Sequence, residues 1–267
     1  MARFESKLSK TMDALVTGAT GFIGSHLAEE LLKNGHRVYC LVRKTSNLKW
    51  LEGLRVSVIE GDCRDADSLR RAVNGMDYVF HLAGLTKAPK ENDFFEVNAG
   101  GTENLVQAVI AGNPGIKRLV FLSSLAAVGP SRTGAPLDED CEPNPVSSYG
   151  KSKLLAEKIV LDHSGSIPVT VLRPPAVYGP RDRDFHTLYK MVNSGIFPHW
   201  GECRYSLLYV DDLVRAIIHA AESKEAAGGV FFVSDETAYT NDEIADAISD
   251  ALVKRPIRLR IPKAIVP

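Results

Sequence analysis

Tyr149 and Lys153 stand four residues apart in Tyr149-Gly-Lys-Ser-Lys153, a spacing that puts both side chains on one helical face with Ser152 and Ala156. An ammonium beside a phenol, whose ordinary pKa is about 10, favours the phenolate, so the pair can exchange a proton with a substrate oxygen near neutral pH. A pair with this spacing also occurs on solvated helical faces, so it needs company. Far upstream stands Gly18-Ala-Thr-Gly21-Phe-Ile-Gly24. Gly18 and Gly21 let the backbone turn tightly and approach a pyrophosphate, Gly24 lets the following helix pack on its strand, and the helix N-terminus faces the negative charge. The alternative is a plain strand-to-helix turn. The position directly after the first apolar run favours dinucleotide binding. No metal is expected: seven histidines and the scattered Cys40, Cys63, Cys141 and Cys203 show no ligand spacing. No Ser-His-Asp order for acyl transfer is present.

Short β-rich runs alternate with stretches of helical periodicity, the pattern of successive strand-helix-strand units. Strands are expected at 14–17, 37–42, 56–60, 78–83, 119–123 and 169–172. Helices are expected at 23–34, 66–74, 94–111 and 149–162. Together they predict an α/β fold, a Rossmann-type doubly wound parallel sheet, over residues 1–175. From 176 to 267 the alternation loosens around Pro and Gly, with a helix near 211–222, a strand near 230–233, a helix near 241–253 and an extended segment at 257–261. This region reads as a smaller substrate lobe, interleaved with the first domain and C-terminally incomplete at Pro267.

The three-and-three glycine spacing resembles the short-chain dehydrogenase/reductase superfamily in its extended, epimerase/dehydratase form, near the dihydroflavonol reductase and 3β-hydroxysteroid dehydrogenase branch. The resemblance covers nearly the whole chain: VTGATGFIGSHL from Val16 to Leu27, Gly61-Asp62, His81-Leu-Ala-Gly84, Val97 to Thr102, Tyr149 to Lys153, and Arg173-Pro-Pro-Ala-Val-Tyr-Gly-Pro180 fall in the family's order. It implies a catalytic set of Ser124, Tyr149, Lys153 and Asn98. Ser124, with Ser123 as its competitor, would hydrogen-bond the reacting oxygen; Asn98 would carry a water-mediated proton path behind Lys153, or be a buried side chain tied to a helix carbonyl. It further implies a nicotinamide cofactor on Gly18, Gly21, Phe22, Ile23, Gly24, Arg43, Asp62, Cys63, Leu82, Ala83, Gly84, Ser123, Tyr149, Lys153, Pro174, Ala176 and Val177. Asp62 would contact the adenine, or cap the helix at Ala66 as Asp65 could. Relatives pair the helices at 98–111 and 149–162 in a four-helix bundle, which implies a homodimer.

Cofactor choice rests on the end of the second strand. There Val42 replaces the acidic residue that holds the ribose hydroxyls of NAD, and Arg43 and Lys44 follow. This suits a 2'-phosphate and favours NADP over NAD, with stacking of Arg43 on adenine as the alternative. The chemistry is then hydride transfer at a secondary alcohol or ketone carbon. A sugar epimerase using transient oxidation is the second reading, and a cofactor-sensing protein without turnover the third. Leu125 and Ala126 stand where dehydratases carry an acid and a base, and Tyr205 where nucleotide-sugar epimerases carry an arginine. Arg181, Arg183 and His186 read as cleft lining or a charged loop, Asp211 and Asp212 as a helix start, and Leu125, Leu207 and Leu208 as core or an apolar substrate surface. Thirty-two Lys and Arg against 33 Asp and Glu, net charge −1, leave no footprint for nucleic acid or an anionic membrane. The polar stretch from Met1 to Asp13 lacks a signal peptide's apolar core and no run spans a membrane, so a cytoplasmic protein with a small-molecule substrate is expected.

Overall fold

Strands whose residues are apolar without alternation belong in a sheet covered on both faces, and the first unit is built that way. Residues 11–199 and 203–260 are described, in a computed structural model. The chain runs β1 (Asp13–Thr17), α1 (Phe22–Lys33), β2 (Arg37–Val42), β3 (Ser57–Glu60), α2 (Ala66–Val73), β4 (Tyr78–His81) and α3 (Glu91–Phe94). A π-helical turn at Phe95–Gly100 leads into α4 (Gly101–Gly112), and β5 (Arg118–Leu122), α5 (Ser148–Asp162) and β6 (Val169–Arg173) follow. Then come β7 (Ala176–Tyr178), α6 (Asp184–Asn193), β8 (Ile196–His199), β9 (Arg204–Tyr209), α7 (Val210–Glu222), β10 (Val230–Phe232), β11 (Ala238–Thr240), α8 (Asn241–Leu252) and β12 (Ile257–Arg260). The first unit comprises residues up to Pro174 and Val214–Phe232; the second comprises Pro175–Leu213 and the residues from Val233 on.

The seven strands of the first unit lie in the order β10-β6-β5-β4-β1-β2-β3, and every pairing is parallel. The chain order reverses between β1 and β4, which opens a crevice at their carboxyl ends. Leu15, Val79, Leu119, Phe121, Val169 and Val171 form the core with Leu69, Leu105, Val109 and Val160 from the helices. At about 25 cal/mol per Å² of apolar surface, burial of this set is the main term holding the sheet. Asp65 caps α2 by accepting the Asp67 N–H. The single helix expected at 94–111 is instead α3, the π-turn and α4. A π-turn accommodates one extra residue per turn, and here it buries Asn98 and Ala99.

A second correction concerns the region after residue 175. The sequence places a helix near 211–222 and a strand near 230–233 in the C-terminal lobe, whereas Val214–Phe232 belongs to the first unit. The cause is β10, which pairs with β6 through Val230↔Val171 and so completes the parallel sheet. The second unit has a sheet of β11-β9-β7 and a parallel pair of β12 and β8. A small core of Val192, Phe197, Ala245 and Ile248 lies there, and a capping box between Thr240 and Glu243 starts α8. Helix α6 and strands β8 and β9 have no counterpart in the sequence reading. The parts of the expectations at 1–10 and 261–267 lie outside the described residues. No described helix is long and apolar enough to cross a membrane.

Candidate active site

The strand-to-helix turn after β1 is shaped by what a side chain would hit. Gly18 has φ +75°, and a Cβ there would lie 2.8 Å from the Ala83 nitrogen; one at Gly24 would lie 2.3 Å from the Gly18 carbonyl oxygen. The turn therefore packs backbone against backbone. Helix α1 starts at Gly21 with no side-chain cap and no acidic residue in its first turn, leaving its amides and dipole to an anion. Beside it is a cavity of 260 Å³ lined by Gly18, Gly21, Arg43, Ser46, Asp62, Cys63, Arg64, Leu82, Ala83, Gly84 and their neighbours. A dinucleotide's adenosine and pyrophosphate fit this donor set: glycines where backbone must approach, free amides, and guanidinium groups at the far end.

Asp62 does not cap α2. Its carboxylate accepts the backbone N–H and the side chain of Arg64, at 2.9 Å and 2.8 to 3.1 Å. Arg64, with Arg43 adding, holds it below the usual carboxylate range. Burial pushes the Cys63 thiol up to about 12, so it is an inert wall. Of the other residues expected at the cofactor, Phe22, Ile23 and Gly24 form the first turn of α1, Pro174 is buried directly after β6, and Ala176 and Val177 lie in β7 of the second unit.

The end of β5 and one face of α5 form the second group of functional side chains. The Ser124 hydroxyl accepts the Ala126 N–H at 3.1 Å, which fixes it at the start of a short 3-10 turn. Burial raises the Tyr149 phenol above its ordinary value, and the Ser124 hydroxyl partly offsets this. Lys153 is 5% exposed; its Nζ donates to the Leu122 carbonyl at 2.6 Å and lies 4.3 Å from the centre of the Phe121 ring. Burial brings it down to about 7, against the pull of the Glu157 carboxylate. The Ser123 hydroxyl points elsewhere, donating to Glu157.

Asn98 is buried and makes no bond to a helix carbonyl through its side chain. Its Oδ1 accepts the Leu85 N–H at 2.7 Å, and its Nδ2 donates to the Leu85 carbonyl at 3.0 Å and to Ser152 Oγ at 2.9 Å. Ser152 in turn donates to the Tyr149 carbonyl at 2.7 Å. A second buried chain reaches the same turn. Thr17 Oγ1 accepts the Ala83 N–H and pairs with His81 Nδ1 at 2.7 Å, and His81 Nε2 pairs with Thr102, whose hydroxyl donates to the Asn98 carbonyl. Because Thr102 donates onward, Nε2 must carry the imidazole proton and Nδ1 must accept. Burial drives His81 down to about 3, so it stays neutral. Sequence reading missed Thr17, Thr102, Glu157 and Arg173. Glu157 had a signal as the next member of the four-residue stripe Tyr149, Lys153, and Thr17, Thr102 and Arg173 lie inside the motifs that carry the family resemblance.

Elsewhere, Arg183 and His186 are exposed at the start of α6, Asp211 and Asp212 lie in the first turn of α7, and Leu207 and Leu208 are buried in β9. Among the described residues no three His, Cys, Asp or Glu side chains cluster as metal ligands.

Residues 14–233 match the model of the NAD dependent epimerase/dehydratase family. A UDP-glucose 4-epimerase of Vibrio cholerae is 30% identical, over 98% of this chain and 82% of its own length. A 3 beta-hydroxysteroid dehydrogenase/Delta 5-->4-isomerase of Mycobacterium tuberculosis is 30% identical over 92% of this chain and 71% of its own. The structure of the Thermus thermophilus UDP-glucose 4-epimerase in complex with NAD superposes with a TM-score of 0.83 at 28% identity, covering 94% of this chain and 86% of that one.

Proposed function

The chain belongs to the NAD-dependent epimerase/dehydratase family, and on that premise we propose that it oxidises or reduces a secondary alcohol or ketone carbon, with Tyr149 moving the proton. A bound nicotinamide dinucleotide supplies the hydride donor or acceptor. Tyr149 exchanges the proton with the substrate oxygen, and Ser124 donates to the same oxygen as charge develops there. Lys153, anchored to Leu122, places a cation behind the phenol and lowers the cost of the phenolate. Asn98 fixes the loop at Leu85 and, through Ser152, the start of α5. The observation that carries this reading is the buried Lys153, anchored to the Leu122 carbonyl at the strand end that Ser124 directly follows and four residues along α5 from Tyr149.

For the cofactor, the family is NAD-dependent, and we infer NADP for this member. The Asp62 carboxylate is engaged by Arg64, while Arg43 and Ser46 line the same cavity beyond β2. A charge-assisted contact from Arg43 to a 2'-phosphate is worth about 1.5–3 kcal/mol, roughly tenfold or more in affinity. The second unit is proposed to bind the substrate, and helices α4 and α5, where Leu155 is 43% exposed, to pair two copies; light scattering reads the copy number.

The test is calorimetric titration with NADPH and with NADH, on the wild type and Arg43→Glu. NADPH binding tenfold tighter than NADH, with the preference lost in Arg43→Glu, is the expected result. Equal or tighter NADH binding overturns the NADP inference, and binding of neither overturns the proposed site. Sugar epimerisation remains the second reading because of the epimerase that matches 98% of the chain. Net cofactor turnover with substrate separates the two, since an epimerase returns its hydride.

A further inference from the structure

Two consecutive residues at the end of β5 are each held by α5, and their holders stand four apart. Lys153 donates to the Leu122 carbonyl, and the Ser123 hydroxyl donates to Glu157. Glu157 is 1% exposed. Its carboxylate also accepts Arg173 Nε at 3.0 and 3.2 Å and Nη2 at 2.7 Å. Arg173 closes β6, and its guanidinium carbon lies 5.7 Å from the Phe232 ring centre. A buried ion pair is a poor device for stability alone, because an apolar pair of similar volume often does as well or better. A helix that needed only to pack here would be served by leucine.

We propose that Glu157 is a positioning residue, which together with Ser123 and Arg173 locks α5 to the ends of β5 and β6 and supplies the counter-charge for the Lys153 ammonium one helical turn away. The inference rests on the reading of Tyr149 and Lys153 as the reacting pair, but needs neither substrate nor cofactor for its test. The groups around Lys153 come from three elements. Strand β5 gives the Phe121 ring and the Leu122 carbonyl, β4 the neutral His81, and α5 Glu157, whose carboxylate also holds the Arg173 guanidinium of β6. The Asn98 Oδ1 side of Gly84 lies close by. Glu157 is the carboxylate in this set that favours the charged lysine.

The experiment is a pH titration of the Lys153 side-chain nitrogen by NMR in the unliganded protein, its signal assigned with Lys153→Arg. In Glu157→Gln, which keeps the volume and an oxygen for Ser123, the midpoint falls by about one pH unit, a tenfold loss of proton affinity. Glu157→Asp, which keeps the charge, stays near the wild type. An unmoved midpoint in Glu157→Gln overturns the proposal, and so does a rise towards the ordinary lysine value, which is what loosened packing gives. If Glu157→Gln does not fold, Arg173→Gln decides through the lock: amide exchange in α5 quickens as its tie to β6 is lost, and Arg173→Lys, which keeps a cation for Glu157, restores part of the protection. Unchanged exchange in Arg173→Gln is again fatal. Failure of dinucleotide binding would overturn the proposed function without touching this titration, and an unmoved Lys153 leaves that function standing.

Discussion

At the scale of single residues, the glycines of the first turn separate folding from binding. A Cβ on Gly24 would meet backbone, the Gly18 carbonyl oxygen at 2.3 Å, which no rotamer can relieve. Gly21 has φ −86° and is exposed, and its Cβ would stand 3.2 Å from the same oxygen. Gly24→Ala is therefore expected to lose about 2 kcal/mol of stability in urea denaturation. Gly21→Ala should lose less than about 1 kcal/mol yet abolish the rise in melting temperature that a dinucleotide produces, because its new methyl occupies the approach to the α1 amides. These glycines were legible because only glycine tolerates such a turn. The different fates of Ser123 and Ser124 depend on which side chain of α5 arrives at each, and no local pattern records that.

At the scale of elements, the π-turn at 95–100 decides what α4 presents to the site. Its extra residue carries Asn98 inward, where its side chain closes on both backbone groups of Leu85 and on Ser152. Removing it takes the partner from the N–H and the carbonyl of the half-buried Leu85 and from Ser152, at a cost of about 1 kcal/mol for each bond. Asn98→Ala is expected to lower the unfolding free energy by about 2 kcal/mol or more and to speed amide exchange at Leu85, measured by urea titration and hydrogen exchange. Asn98→Asp keeps the acceptor for the Leu85 N–H but not the donors, and falls between. The buried strands of the first unit were legible from their apolar runs, and α1, α2 and α5 from their periods. The π-turn was not, because one residue more per turn changes no residue type. Helix α6 and strands β8 and β9 were hidden by short length and by the proline and glycine around them. The return of β10 to the main sheet is a long-range pairing with β6 that its three residues do not announce.

At the scale of the whole molecule, the site makes stability depend on pH with a sign fixed by two buried bases. His81 folds with its pKa near 3 instead of the ordinary 6.5, and Lys153 near 7 instead of 10.5. In both the folded state binds its proton less readily than the unfolded chain, so the stability each gives is complete above the unfolded value and is lost as pH falls towards the folded one. For Lys153 the window is pH 10.5 to 7; for His81 it is 6.5 to 3, with the buried His36 adding in the same direction. Each pH unit inside a window is worth at most about 1.4 kcal/mol per group. The paired carboxylates Asp13, Asp62 and Asp77 are held below their ordinary 3.8, so their share is lost only in stronger acid. Between about pH 6.5 and 5 the slope is therefore histidine's. The unfolding free energy should fall there by about 2 kcal/mol, read from urea titrations at half-unit steps. His81→Gln keeps a donor and an acceptor between Thr17 and Thr102 but cannot titrate, so the variant starts less stable at neutral pH and loses most of that slope. A wild-type curve flat across that range would mean that His81 takes up its proton without unfolding the chain, and the single-tautomer chain from Thr17 to Asn98 would have to be abandoned.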